Sequence, residues 1–456
     1  MIAFRLSELA PRLGARHLGA DAEIGAVSTD TRSLQPGDLF VALVGERFDG
    51  HDYLDIARQK GASAALVSRP LDMSLPRLEV ADTRCALGVL ARSWRERSPA
   101  RVVAITGSNG KTTVKELTAA VLGRGGEVMA TRGNLNNDIG LPLTLTRLQE
   151  QRYAVVELGA NHPGEIDYLT RIACPDVAVL NNAGRAHLEG FGSLDGVARA
   201  KAEILNGLSP DGVFVFNADD RYAPLWRSLA AGRHTSLFGM DRPADISSDA
   251  DGAWLVWDAH GFRQRFAVRT PAGELEVELQ LAGRHNRMNA LAATAAALSA
   301  GADLDAVRDG LAAVAPVRGR LCPVPGRDGL RLVDDSYNAN PDSVAAAIEV
   351  LSSAPGRRAL VLGDLAELGA GAESLHTEVG RRARAAGVDR LYTCGRLSAA
   401  ASGAFGAGAC HFDEQAALVA ALEDELRAGD TVLVKGSRSA GMERVVAALA
   451  TEAATC

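Results

Sequence analysis

Short apolar runs recur along this chain, and between them apolar positions fall three or four residues apart, so strands and helices are predicted to alternate. Near the N-terminus the runs are brief, at 38–43 and 64–67, with turn signals at Pro36-Gly37 and Asp49-Gly50. Residues 83–97 carry a helical pattern that leads onwards. Runs at 101–105, 153–158, 177–180 and 213–216 then lack any polar face. Strands of that kind belong in a parallel sheet covered by helices on both sides. Segments 254–258, 264–268 and 275–281 alternate apolar with polar, which predicts an antiparallel addition, and an alanine-rich helix follows at 286–300. Pro and Gly gather at 315–326, a predicted linker. Beyond it, strands at 330–333, 359–362, 390–393 and 431–434 alternate with helical stretches, predicting a second doubly wound unit. The fold class is α/β.

The chain has 456 residues, long enough for two or three domains. Its 47% hydrophobic and 23% charged residues are those of a soluble globular protein. A net charge of −7 argues against non-specific nucleic-acid binding. Arg5 and Glu8 interrupt the apolar stretch that a signal peptide needs. The longest apolar run, at 290–300, is too short to span a bilayer, so no membrane span is expected. The cysteines at 85, 174, 322, 394, 410 and 456 form no C-x-x-C pair and no zinc spacing. They read as reduced thiols of a cytoplasmic chain, without catalytic work.

Candidate chemistry gathers at the ends of predicted strands, where open α/β sheets bind ligands. Residues 104–113 read AITGSNGKTT, a strand end, a tight turn through Gly107, Ser108, Asn109 and Gly110, and a helix opening at Lys111, Thr112 and Thr113. Backbone N–H groups and the helix dipole there suit phosphate, with Lys111 reaching outer phosphates and Thr112 a Mg²⁺ ion. The usual loop holds four residues between its glycines; this one holds two. Glu157 ends the next strand, as a Mg²⁺ ligand or as a strand-end acid solvated in its loop. The loop NNAGRAHLEGFGS at 181–193 offers Asn181, Asn182, His187 and Glu189, and the helix beyond it carries Lys201. By type alone, His187 and Lys201 are ordinary surface residues. DDSYNANP at 334–341 follows a strand as ribose acceptors or as a plain helix start at Asn340-Pro341, and KGSR at 435–438 suits an anion or a basic turn.

Taken together these strings resemble the Mur ligase family of ATP-dependent amide-forming enzymes. The short loop is similar to that family's phosphate loop. GNLNNDIGLPLTL (133–145), VELGANHPGEI (156–166), AHLEGFGSLDGVARAKAEI (186–204), GRHNRMNALAA (283–293), DDSYNANPDS (334–343), LGDLAELG (362–369) and KGSRSAGME (435–443) carry the resemblance through the chain. STDTRSLQPGDLFVALVGERFDGHDY (28–53) extends it to a uridine-nucleotide domain. Asp138 stands where Glu is more usual, which keeps the carboxylate.

The resemblance implies three domains: a small α/β UDP-binding domain (1–83), a central P-loop parallel-sheet ATPase domain (84–315) and a C-terminal Rossmann-like domain (316–456). It implies ATP and two Mg²⁺ ions as cofactors. UDP-N-acetylmuramoyl-tripeptide and D-alanyl-D-alanine are the small-molecule substrates it implies, for a cytoplasmic monomer in cell-wall synthesis. Lys111, Glu157, His187 and Lys201 would be catalytic, with Thr112, Glu157, His187 and a carbamylated Lys201 at the metal. Asn289, Arg320 and Asp335 would join the phosphate loop in holding ATP. Ser28, Thr29, Asp30, Arg32, Asn134, Asn136, Asn137, Asn338 and Lys435 would contact the other substrates. The rivals are another ligase of the same or folylpolyglutamate type, a P-loop NTPase switch, and a silent binding module. GNLNNDIG and ELGANH argue against the first, and the set Lys111, Glu157, His187 and Lys201 against the last.

Overall fold

The ends of three parallel strands meet at the centre of a computed structural model that describes residues 2–251, 253–258 and 261–451; Met1 and Cys456 lie outside them. Arg101–Thr106 lies between Tyr153–Glu157 and Val177–Leu180, with Glu157 beside Ile105 and Leu180 beside Thr106. The loops carrying the phosphate-loop string, Glu157 and Asn181 therefore leave the sheet side by side. Strand side chains alternate between faces. Val102, Ala104, Ala154, Val156, Ala178 and Leu180 enter one core, while Val103, Ile105, Val155, Val177 and Val179 enter the other. That explains the missing polar face in the sequence.

Among the described residues the central sheet has ten strands. Its parallel part runs from Val128–Ala130 through Ile246–Ser247, and Gly261–Thr270 continues it antiparallel, flanked by Trp254–Asp258 and Gly273–Leu279. The antiparallel addition is as the alternation predicted. A five-stranded N-terminal sheet contains the predicted strand Ala64–Val67 and is parallel except for Arg16–Leu18. Helix Thr83–Arg97 joins the two units, burying Leu87, Leu90 and Trp94 in the first core and Ala91 in the second.

A six-stranded C-terminal sheet sets Arg331–Asp335 beside Thr431–Lys435, in a register that faces Asp335 with Lys435. The stretch expected to be a linker differs: Cys322–Pro325 is an edge strand antiparallel to Arg331–Asp335. Two prolines concealed it, yet an edge strand has positions where no N–H need be donated. No helix among the described residues is long and apolar enough to cross a membrane.

Helix Leu304–Ala312 approaches helix Lys111–Leu122 at Gly310, where a Cβ would run into the Val121 backbone. Gly310→Ala should therefore destabilise the fold by about 3 kcal/mol through overpacking. Gly403, inside helix Ala399–Phe405, has open space around it, and Gly403→Ala should be neutral or stabilising by up to about 1 kcal/mol. Urea unfolding followed by circular dichroism compares the two.

Candidate active site

Gly107 (φ 149°) and Gly110 (φ 80°) shape the turn between the first central strand and its helix. Both conformations favour glycine. The rest of the turn is held from outside by amide side chains. Asn109 N–H donates to Asn182 Oδ1 (2.8 Å), and its carbonyl accepts from Asn181 Nδ2 (2.9 Å) and Asn182 Nδ2 (3.1 Å). Asn181 Nδ2 also donates to Asn289 Oδ1 (2.9 Å), while Asn289 Nδ2 donates to Asn286 Oδ1 (3.0 Å). A Cβ on Gly110 would collide with the Asn181 and Asn289 amides. Both ends of the Asn289 amide are thus engaged in bracing the loop.

Lys111 Nζ folds back onto the carbonyls of Gly107 (2.8 Å) and Ser108 (3.4 Å). Burial lowers its pKa, Glu157 opposes that, and Arg320 adds to it. Thr112 Oγ1 donates to Glu157 Oε2 (2.8 Å), and Asn136 Nδ2 donates to Oε1 (2.8 Å). Glu157 is 3% exposed, and its N–H donates to Thr131 Oγ1 (3.0 Å). A buried hydroxyl and carboxylate, both hard oxygen donors, fit a Mg²⁺ ion. Among the described residues no three His, Cys, Asp or Glu side chains form a metal cluster, so a cation here needs Thr112 and ligand oxygens as well.

Lys201 is 1% exposed, on helix Leu194–Ala202. Its amine donates to the Ala160 carbonyl (3.3 Å) and lies 5.1 Å from the centre of the Phe191 ring. Burial first, then the charge of Lys111, brings its pKa down to about 7, against a pull from Glu165 and Glu203. His187 sits at the start of the short helix Leu188–Phe191 with φ 52°, and its Nδ1 pairs with Glu367. Burial lowers its pKa while Glu367 raises it.

The C-terminal unit forms the opposite wall. Lys435 Nζ pairs with Asp335 Oδ2 (2.6 Å) and donates to the Asn338 carbonyl (3.0 Å). Burial raises the Asp335 pKa, and Lys435 works against it. Arg320 lies over the Tyr337 ring at 4.4 Å. His285 is pushed down to about 4 by burial and by Lys435, so its ring is neutral. Together these walls enclose a cleft of about 1390 Å³.

The two units touch across this cleft. Asn340 Nδ2 donates to Asn109 Oδ1 (2.7 Å). Arg185 reaches Asp342 through its backbone N–H (2.6 Å) and Nε (2.8 Å), and Glu378 through its other nitrogens (2.8 and 3.1 Å). Sequence reasoning missed Arg185, Asp342, Glu367 and Glu378. The first three lie inside the strings already singled out, but as a loop arginine and helix-start or loop acids they show no chemistry by type.

The cleft brings together Ser108–Thr113, Asn134, Asn136, Asn137, Glu157, His187, Asn289, Arg320, Asp335, Asn338 and Lys435. Asn137 Oδ1 accepts from Gly140 N–H (2.8 Å), and Asp138 pairs with Arg84 (2.8 Å). Ser28, Thr29, Asp30 and Arg32 do not line it. In the N-terminal unit Arg32 clamps Asp30 (2.6 Å) and brings that carboxyl down to about 2, while Ser28 Oγ donates to the Asp30 carbonyl (3.0 Å).

Residues 105–297 match the Mur ligase middle domain, 319–438 the Mur ligase glutamate ligase domain, and 23–95 the catalytic domain of the Mur ligase family. The chain is 50% identical to the UDP-N-acetylmuramoyl-tripeptide--D-alanyl-D-alanine ligase of Escherichia coli, covering 100% of both chains. It superposes on a crystal structure of MurF from Acinetobacter baumannii with a TM-score of 0.91 at 36% identity, covering 98% of each chain. The MurF ligase of Thermotoga maritima in complex with ADP gives a TM-score of 0.83 at 30% identity, over 93% of this chain and 96% of that one.

Lys201 makes a pH prediction. Its pKa falls from 10.5 to about 7 on folding, so between those values the unfolded chain binds the extra proton and stability rises with pH. Lys201→Met removes that penalty. In carbonate-free buffer the variant should outlast the native chain in urea at pH 7, and the gap should close as pH rises towards 10. A gap that stays constant with pH would contradict the buried cation.

Proposed function

The chain belongs to the Mur ligase family, and on that premise we propose that it joins D-alanyl-D-alanine to UDP-N-acetylmuramoyl-tripeptide at the expense of ATP, in peptidoglycan precursor synthesis. One observation carries the reading. A phosphate loop, the Thr112–Glu157 pair and the cationic wall of the C-terminal unit line a single cleft. Identity over the full length of the E. coli ligase supports the choice of substrates.

A carboxylate is a poor acyl donor and must be activated before an amine can displace oxygen from it. A carboxylate oxygen of the tripeptide attacks the γ-phosphorus of ATP, ADP leaves, and an acyl phosphate forms. The dipeptide amine then attacks the carbonyl carbon, loses a proton, and phosphate departs. In the first step two anions approach each other. Lys111, released from the Gly107 and Ser108 carbonyls, would set its charge against the phosphates, and the first-turn N–H groups would donate to them. Thr112 and Glu157 would hold one Mg²⁺ ion, and His187 with a carbamylated Lys201 would serve a second; bound there, Mg²⁺ neutralises charge between phosphate and carboxylate.

Lys201 is suited to carbamylation because burial leaves much of its amine neutral near pH 7. The neutral amine adds to CO₂, forming an N–C bond and releasing one proton. Arg320, Asp335, Asn338 and Lys435 are assigned to the ATP and peptide ends, with Asn134, Asn136 and Asn137 towards the peptide. Ser28, Thr29, Asp30 and Arg32 are assigned to the UDP end, because they lie in the N-terminal unit away from the cleft. Residues 1–83, 84–315 and 316–456 are the proposed domains of a cytoplasmic monomer, each holding one reactant.

Phosphate release is the test, measured with ATP, Mg²⁺ and UDP-N-acetylmuramoyl-tripeptide, with and without D-alanyl-D-alanine. Release should require the dipeptide, and Glu157→Gln should lower kcat by about 100-fold or more, in the range of lost transition-state charge stabilisation. Release that ignores the dipeptide would make this an NTPase instead. With ¹³C-bicarbonate, a carbamate carbon signal should appear in the native protein and vanish in Lys201→Ala.

A further inference from the structure

We propose that Glu367 is a positioning residue for His187, so that docking of the C-terminal unit on the central unit completes the cation site. The inference rests on reading His187 as a cation ligand. The ion pair joins His187 Nδ1 to Glu367 Oε2. A carboxylate oxygen beside Nδ1 accepts and cannot donate, so this contact favours the ring tautomer whose hydrogen sits on Nδ1. That leaves the lone pair on Nε2, the nitrogen available to a cation. A carboxylate that fixes the tautomer and orientation of a liganding histidine in this way raises metal affinity.

The backbone argues that this contact is built. His187 (φ 52°) and Glu367 (φ 59°) are both non-glycine residues in the left-handed region. Such conformations cost energy and persist where surrounding structure holds them. The main chains also approach, with Glu189 N–H directed at the Glu367 carbonyl (3.5 Å). Glu367 follows strand Arg358–Gly363 in the C-terminal sheet, whereas His187 follows strand Val177–Leu180 in the central one. Each side chain therefore finds its partner only when the two units meet. Arg185, two residues before His187, docks on Asp342 and Glu378 of the same unit and keeps the loop in register.

The test uses Mn²⁺ with ADP bound to the full-length protein, read by electron spin-echo envelope modulation and by titration of Mn²⁺ affinity. Glu367→Gly deletes the carboxylate at a position whose φ suits glycine, so the fold is retained. Glu367→Gln keeps an acceptor oxygen. The native protein should show nitrogen modulation from a coordinated imidazole. Glu367→Gly should weaken Mn²⁺ binding by about tenfold and diminish that modulation, and Glu367→Gln should restore both to within about threefold. Native modulation that persists unchanged in Glu367→Gly overturns the role of Glu367 with His187 still a ligand. Tighter Mn²⁺ binding in Glu367→Gly overturns it too, since Glu367 would then compete with the cation. Absence of nitrogen modulation in the native protein overturns the premise itself.

Discussion

The shape of one four-residue turn, Gly107 to Gly110, constrains the rest of the site. The turn is two residues shorter than the usual phosphate loop, and asparagine side chains hold it from outside. Asn181 and Asn182 tie down the Asn109 carbonyl, and Lys111 ties down that of Gly107. The N–H groups of the first turn of helix Lys111–Leu122 have no partner within that helix, and they remain as the donors for an anion. Gly110 is required twice: for its backbone conformation, and because the Asn181 and Asn289 amides occupy the space of a side chain.

The same bracing explains how the C-terminal unit reaches the chemistry. The loop at 181–193 supplies Asn181 and Asn182 to the turn, Arg185 to Asp342 and Glu378, and His187 to Glu367. Asn109, braced on one side, accepts from Asn340 of the C-terminal unit on the other. Half-exposed ion pairs such as Arg185–Glu378 contribute about 1 kcal/mol or less apiece. Their value lies in direction rather than strength. Several directed contacts from one loop fix the register in which the two units meet.

Strands with two apolar faces were legible because their pattern matches their burial: Val177–Leu180 agrees residue for residue with its run. Helix Thr83–Arg97 was equally plain, with Asp82 capping it through the Arg84 (2.7 Å) and Cys85 (3.1 Å) N–H groups. Cys322–Pro325 was hidden because proline usually marks a break, and only its place at a sheet edge permits it. Lys111, Thr112 and Glu157 could be singled out as candidates because their types suit phosphate and Mg²⁺ where strands end, and all three line the cleft. Glu367 could not. Its role depends on a positive φ and on a partner 180 residues away, and neither leaves a mark in residue type or spacing.

Charge balance gives the cleft its final logic. Lys111 and Lys201 are both held below their ordinary pKa, chiefly by burial and partly, for Lys201, by Lys111 itself. Lys435 already has Asp335, and His187 has Glu367. Lys111 and Arg320 stand together beside the phosphate loop, balanced only in part by Glu157, and an anionic ligand there would relieve their repulsion. Lys201 is different, because its nearest hydrogen-bond partner is a neutral carbonyl. As an ammonium ion it would add to the excess, and as a neutral amine it would only fill space. As a carbamate it would instead bring a negative charge among these cations.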